Sequence, residues 1–260
     1  MSQNLQKSAK PEFTEKLHFR EGILNPAEFA RNYELHCYEP SNEMEPFVEH
    51  YFISRRRLDF DREYEGHDVL SQPVVSLFVQ PSGAFFQGPT TGKRTLRARD
   101  APIYAGAQFK PGGFYPFWQS KVSYLTERTI PATEVISEAD RYLNSTLLAA
   151  GNETILRTID TVLHARQPKY DANVGLVNRI VDYVQTENRT ATVVSVARHF
   201  GTSERSLQHL FQTYVGVGVK WAIMRARFLE IAKYARAQAK PDWLAVALEF
   251  GYADQSHFIN

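Results

Sequence analysis

Residues 192–211 read TVVSVARHFGTSERSLQHLF. Val193, Val196, Ala197 and Phe200 recur at helical spacing behind Thr192, a residue type suited to capping a helix start. Gly201 can end that helix in the left-handed conformation, and Ser203 can cap the next one. In the following run Leu207, Leu210, Phe211 and Tyr214 fall at i, i+3, i+4 and i+7, which leaves Glu204, Arg205, Gln208, His209 and Gln212 on the other side. The stretch predicts helix, turn, helix, with an apolar face for a core and a polar face rich in hydrogen-bonding groups.

The same pattern recurs further on. Val196–Gly201 and Val246–Gly251 share V-A-x-x-F-G, fifty residues apart, and Asp242 and Trp243 stand where Thr192 and Val193 stand in the first copy. Asp254, Gln255 and Ser256 then open a second polar helix, with Phe258 in the role of Leu207 after a turn one residue longer. Between the copies, KWAIMRARFLEIAKYARAQ (220–238) is an unbroken helix-forming run closed by Lys240-Pro241. At 1.5 Å per residue it spans roughly 28 Å. A rod of that length can hold two recognition helices about one DNA turn apart, near 34 Å, so that both enter successive major grooves.

Composition sets the frame. At 260 residues, 43% of them apolar, the chain has enough material for two ordinary domains with real cores. Cys37 is the single cysteine, which rules out an internal disulfide and points to a reducing, cytoplasmic compartment. Residues 1–14 read as a polar mobile tail without the apolar core of a signal peptide, and nowhere do eighteen apolar residues run together, so no membrane partner is expected. Formal net charge is +1, and from Asp171 onward ten Lys and Arg face eight Asp and Glu, a balance of +2. That is far from a strongly basic domain, so a DNA-binding reading has to rest on motif geometry.

From about Glu15 to Pro131 the pattern is that of strands. VVSLFVQPSG (74–83), AFFQGPTTGK (84–93) and IYAGAQFKPGGFYPFW (103–118) alternate apolar runs with Gly- and Pro-containing turns, as in a barrel or sandwich. EPFVEHYFISRR (45–56) fits both periods and is read as a strand. Past Pro131 the period turns helical, with Leu143, Leu147, Leu148, Ile155, Ile159, Val162 and Leu163 at three- and four-residue spacing. The expected fold class is α+β. A β-rich effector or dimerisation domain (15–135) is followed by a helical connector (136–166), a linker (167–174) and an all-α domain (175–260) with two helix-turn-helix units joined by a long helix. Phe86, Phe109, Phe114, Phe117 and Trp118 are candidates for an effector pocket; core packing is the favoured reading for most of them, since a strand buries every second residue anyway.

FGTSERSLQHLF, YVGVGVKWAIMRARF and above all FGYADQSHFIN, which fits G-[FY]-x-[DS]-Q-S-x-F, resemble the DNA-binding domain of the AraC/XylS family of transcription regulators. YEPSNEMEPFVEHYFI and FKPGGFYPFW resemble, less specifically, the sensor-like domain of one subgroup. The resemblance implies a cupin-like β-barrel ahead of the DNA-binding part, and a regulator without enzymatic activity, metal or cofactor. The partners it implies are double-stranded DNA, a small-molecule effector, a second copy of the chain and RNA polymerase. It places Arg205, Gln208, His209 and Gln212 on the first recognition helix and Gln255, Ser256 and Asn260 on the second. Arg can pair bidentately with guanine and Gln with adenine, each good pair giving about 1 to 3 kcal/mol of discrimination; the plainer reading of any one of them is a solvated helix face. Lys220, Arg225 and Arg227 are candidates for phosphate or intraprotein contacts. Val219 stands where the family commonly has Pro, and His209 where Arg is frequent. The family continues past the position of Asn260, from which a shortened form with weakened DNA binding is expected.

The alternative is a small-molecule or metal-dependent cupin-type enzyme fused to a DNA-binding domain. Such a metal site calls for a close H-x-H with further His or Glu ligands. His18, His36, His50 and His67 stand apart from one another, and the chain has no H-x-H, H-E-x-x-H, phosphate-binding loop or G-x-S-x-G. Cys37 sits in ELHCYEP, an acidic and aromatic setting that suits a buried structural thiol better than a reactive one.

Overall fold

The structure, a computed structural model, describes residues 13, 23, 25–59, 64–97, 102–187 and 191–237. Gln255, Ser256, Asn260 and the second V-A-x-x-F-G unit lie outside the described residues. The chain is α+β: a β-sheet-rich N-terminal part is followed by a helical C-terminal part.

Helix α1 (Pro26–Asn32) starts on Asn25, whose side chain accepts from the Glu28 N–H, and carries Pro at its first position. Then come β1 (Tyr33–Tyr38), β2 (Val48–Arg56), β3 (Gly66–Leu70), β4 (Ser76–Gln80), β5 (Gly83–Gln87), β6 (Lys93–Arg97) and β7 (Ile103–Phe109). After helix α2 (Tyr115–Trp118) a short β8 (Thr129–Pro131) completes an antiparallel sheet in the order β1-β2-β7-β4-β5-β8, while β3 and β6 pair as a separate ribbon. β1 and β8 are the edges of the large sheet, so among the described strands the barrel does not close into one ring. The segment 45–56 is extended from Val48 onward, and its burial is nearly continuous rather than alternating. Cover on both faces explains why that segment carries no clean strand period.

The ladder through β7 sorts the side chains. Tyr51, Ala107 and Leu77 lie in one register row and Ile53, Ala105 and Val79 in another, all fully buried on one face. That face is covered by α2, α3 (Ala139–Tyr142), α4 (Ser145–Leu148) and α5 (Asn152–His164), and it shares one core with Phe86, Phe109, Ile155, Ile159 and Leu163. The segment expected as a connector is therefore packed into the first core. Asp160 on α5 ties the layers together, accepting from Tyr51 Oη and Ser41 Oγ, each at 2.7 Å.

The other face carries Phe52 and Phe78 on either side of Gly106 in β7. Their rings meet 5.4 Å apart. A Cβ on Gly106 would lie 1.9 Å from the Leu77 carbonyl oxygen and 2.8 Å from Phe52 Cζ, so no side chain fits there.

The second core runs from Val174 to Ala226 and is built mainly from four helices. α6 (Ala172–Asp182) is capped by Asp171 and runs on into a π turn; α7 (Val193–His199), α8 (Glu204–Tyr214) and α9 (Val219–Ala237) follow. Val219, where a proline is common in the regulators this chain resembles, is fully buried at the start of α9.

Gly106→Ala is expected to lower unfolding stability by about 1–3 kcal/mol through overpacking. Gly92→Ala, where nothing lies within 4 Å of the new carbon, should leave stability unchanged or slightly raised. Urea unfolding of the two variants measures the contrast.

Candidate nucleic-acid interface

Two helices and a tight turn build the candidate interface. Thr192 caps α7 through a reciprocal pair: its Oγ1 accepts from Ser195 N at 3.1 Å, and Ser195 Oγ accepts from Thr192 N at 2.9 Å. The far end closes on Gly201 at φ +61°, with Gly201 N donating to Arg198 O and Thr202 N to Ala197 O, the paired bonds of a Schellman motif. Ser203 then caps α8 by accepting from Ser206 N at 3.1 Å. Val196 and Ala197 on α7 and Leu207, Phe211 and Tyr214 on α8 are buried, which fixes how the two helices face each other.

On α8, Arg205, Gln208 and His209 are exposed and Gln212 is half-buried. The exposed trio lies in the N-terminal half of the helix, the part of a recognition helix that meets base edges. The C-terminal end is held: Thr126 Oγ1 donates to Gly216 O at 2.7 Å, just past α8. Gln208 lies beside the loop that follows α8, its Nε2 3.2 Å from where a Cβ on Gly218 would sit. His199 stacks on Tyr183 at 4.0 Å and meets Phe200 edge-on, so its ring braces the turn. Of the cations on α9, Arg225 donates from Nε to the Ser71 carbonyl and Arg227 from Nη2 to the Ala191 carbonyl, whereas Lys220 is exposed. The first two make intraprotein contacts.

The helical part docks on the sheet part through polar bonds and one ring pair. Tyr214 packs against Tyr115 with centroids 4.2 Å apart and the rings tilted at 39°. Its hydroxyl donates to Asp171 Oδ2 at 2.6 Å, and burial together with that carboxylate pushes its pKa up to about 12. Asn178 donates to Pro111 O at 3.0 Å, and Trp221 Nε1 to Thr91 O at 3.0 Å.

A cavity of about 160 Å³ opens between the large sheet and the β3–β6 ribbon. Phe52, Phe78 and Tyr104 form its sheet wall, and His67, Arg94 and Leu96 its ribbon wall. None of the aromatics proposed for a pocket lines it. Phe86, Phe109, Phe114 and Phe117 are buried on the opposite face, and the partly buried Trp118 packs against the same helical core. The sequence reading left out Arg94 and weighed His67 only as an isolated histidine. Neither GHDVL nor KRTLR alternates strictly, and only the pairing of the two runs puts His67 and Arg94 on one face. His67 sits among Phe29, Tyr33 and Tyr64, with Phe29 only 4.6 Å away, and burial lowers its pKa from 6.5 to about 4. His36 lies on β1 and His50 on β2, and among the described residues no three of His, Cys, Asp and Glu are placed to hold a metal ion. Cys37 is buried and forms no disulfide.

Compared with known families, residues 196–260 match a helix-turn-helix domain, of the AraC type, and residues 36–131 match a domain of unknown function, DUF6597. The pairing is consistent with an AraC family regulator that carries an N-terminal domain ahead of its DNA-binding part. No curated protein and no solved structure matches the chain. No helix among the described residues is long and apolar enough to cross a membrane.

His67 gives a pH prediction. Its pKa in the fold lies below that in the unfolded chain, so the unfolded chain takes up the proton first, and stability present above pH 6.5 is lost as pH falls toward 4. The loss between pH 7 and pH 5 should reach up to about 2 kcal/mol. In His67→Phe that part of the pH dependence should vanish from urea unfolding curves.

Proposed function

From an AraC-type helix-turn-helix domain set behind a domain of unknown function, we propose that the chain is a sequence-specific, effector-responsive transcription regulator that puts two recognition helices into successive major grooves. One observation carries this reading: α8 is capped, braced and buried on one side, while the other presents Arg205, Gln208 and His209 to solvent at its N-terminal half. In that role Arg205 and Gln208 read base edges, and His209 and Gln212 contribute beside them. The second helix of the reading is built on Gln255, Ser256 and Asn260. The nineteen residues of α9, roughly 28 Å at 1.5 Å each, are the support for its spacing. The regulator works in the cytoplasm, with double-stranded DNA, RNA polymerase and a second copy of the chain as partners.

Responsiveness to an effector has its support in the contact between the two halves. The segment that lines one side of the cavity, Ser71 and Thr90, also holds α9: Arg225 donates to the Ser71 carbonyl and Trp221 to the neighbouring Thr91 carbonyl. Thr91 is itself fixed by Glu127, whose Oε1 accepts from its N–H at 2.6 Å and its Oγ1 at 2.7 Å. A ligand that prefers one arrangement of this wall biases α9, and with it the recognition helices, by as much as its affinities for the two arrangements differ. The cupin-like reading of the domain takes the large sheet and the ribbon as the two walls of an effector chamber. An enzyme would have to use the same cavity; the helix-turn-helix match favours the regulator.

Selection of genomic fragments on the immobilised 260-residue chain should enrich a defined operator, with retention falling steeply as salt rises. Arg205→Ala should reduce discrimination between the operator and a single-base variant by about 1–3 kcal/mol, with little change in stability. Retention of all fragments alike, or unchanged selectivity in Arg205→Ala, rejects the reading. Separately, Arg225→Ala is expected to change operator affinity several-fold although Arg225 faces the N-terminal part, as titrations of labelled operator will show.

A further inference from the structure

Among the described residues, the cavity is lined by one Arg and by no acid. In the β3–β6 ladder Val69 pairs with Arg94 and His67 with Leu96, which puts these four on one face of the ribbon, toward the cavity. Asp68, the single acid of the ribbon, is on the opposite face, where it accepts from Lys93 Nζ at 2.8 Å and Thr95 Oγ1 at 2.6 Å. Among the described residues Arg94 has no ion-pair partner, and no Asp or Glu lines the cavity. A half-buried guanidinium facing apolar walls is costly to hold, and burial does lower the Arg94 pKa from its ordinary value. Its fork of donors suits a planar carboxylate.

The facing wall fixes the rest of the ligand. Phe52, Phe78 and Tyr104 stand with ring centroids 5.4 to 6.2 Å apart, an aromatic surface that receives a flat apolar group. A cavity near 150 Å³ is known to hold a benzene ring, so about 160 Å³ admits one ring or a short branched chain and little more. Gln108 and Gln72, joined by a 3.1 Å bond, add amide groups at the rim.

The geometry points to a small organic carboxylate as the ligand of this cavity, its compact apolar body against Phe52, Phe78 and Tyr104 and its carboxylate on Arg94. This rests on the reading of the N-terminal domain as an effector domain, and it names the effector's chemistry. Such a ligand reaches the wall that holds α9, because Arg94 adjoins Lys93, which pairs with Leu70 next to Ser71.

Isothermal titration of the full chain with phenylacetate, 3-methylbutanoate, phenylacetamide and inorganic phosphate tests the assignment. One of the two acids should bind at least about tenfold more tightly than the amide, the worth of one charge-assisted pairing. Arg94→Gln should bring acid and amide within about twofold of each other, and Arg94→Lys, which keeps the charge, should fall between. Equal binding of acid and amide, binding of phosphate as tight as that of the acids, or binding of neither acid overturns it. If an acid binds through Arg94 but leaves operator retention unchanged, the ligand site stands and the effector reading falls.

Discussion

Strand β7 is the constraint on which the rest of the molecule depends. It pairs with β2 on one side and β4 on the other, and its residues are small where the neighbours are large: Ala105, Gly106 and Ala107 run beside Phe52, Ile53, Leu77 and Phe78. The alternation of a strand then assigns everything else. Ala105 and Ala107 let the large side chains of β2 and β4 meet the helices over them, which creates the main core. Gly106 lets two phenylalanine rings close over the strand from either side, which creates the wall of the cavity. Core and cavity are the two faces of one ladder, so neither can shift register without the other.

That coupling extends beyond the sheet. The cavity is bounded by the segments around Ser71 and Thr90, and those segments receive Trp221 and Arg225 of α9, while Gly216, at the end of α8, receives Thr126. Gly216 takes φ +93°, and a Cβ there would lie 2.8 Å from Pro89 and 3.1 Å from the Val122 carbonyl, so α8 ends in close contact with the sheet domain. The junction combines side-chain bonds to backbone carbonyls with apolar contact, since Tyr115 packs against both cores and Gly112 lies beside Val177 and Tyr214.

The helical half was legible in the sequence because its determinants are local. Thr192, Gly201 and Ser203 act within three or four residues of where they stand, and the apolar positions of α8 follow the helix period with nothing else competing. The sheet half was legible only as strands. Its aromatic residues alternate correctly, yet nothing in a single strand says which face will be covered by helices and which by a ribbon. The pocket expectation therefore fell on Phe86 and Phe109, and Phe52 and Phe78, which line the cavity, were not among the candidates. Arg94 was invisible for a similar reason: in KRTLR it is one of three cations, and only the pairing with β3 separates it from Lys93, which finds Asp68 on the outside. The closed barrel failed to appear because closure depends on which strand ends up beside β1 and β8, a long-range choice that no local pattern encodes.

The charge of the helical half bears on how it can bind DNA. Its balance from Asp171 onward is only +2, and two of its cations, Arg225 and Arg227, are engaged by backbone carbonyls of the protein itself. Among the described residues that leaves Arg179, Arg198, Arg205 and Lys220 exposed on the helical half. Each phosphate neutralised contributes to affinity for any sequence, so a surface with few free cations gains little from DNA in general. If α8 reads base edges as proposed, the balance is set by its polar groups, which gain only where those edges match them. On the proposed reading, non-specific binding is weak, and selectivity comes from withholding charge as much as from adding contacts. On the same reading, the bond from Arg225 to the Ser71 carbonyl serves both ends: it takes a cation away from the DNA and places it against the cavity wall.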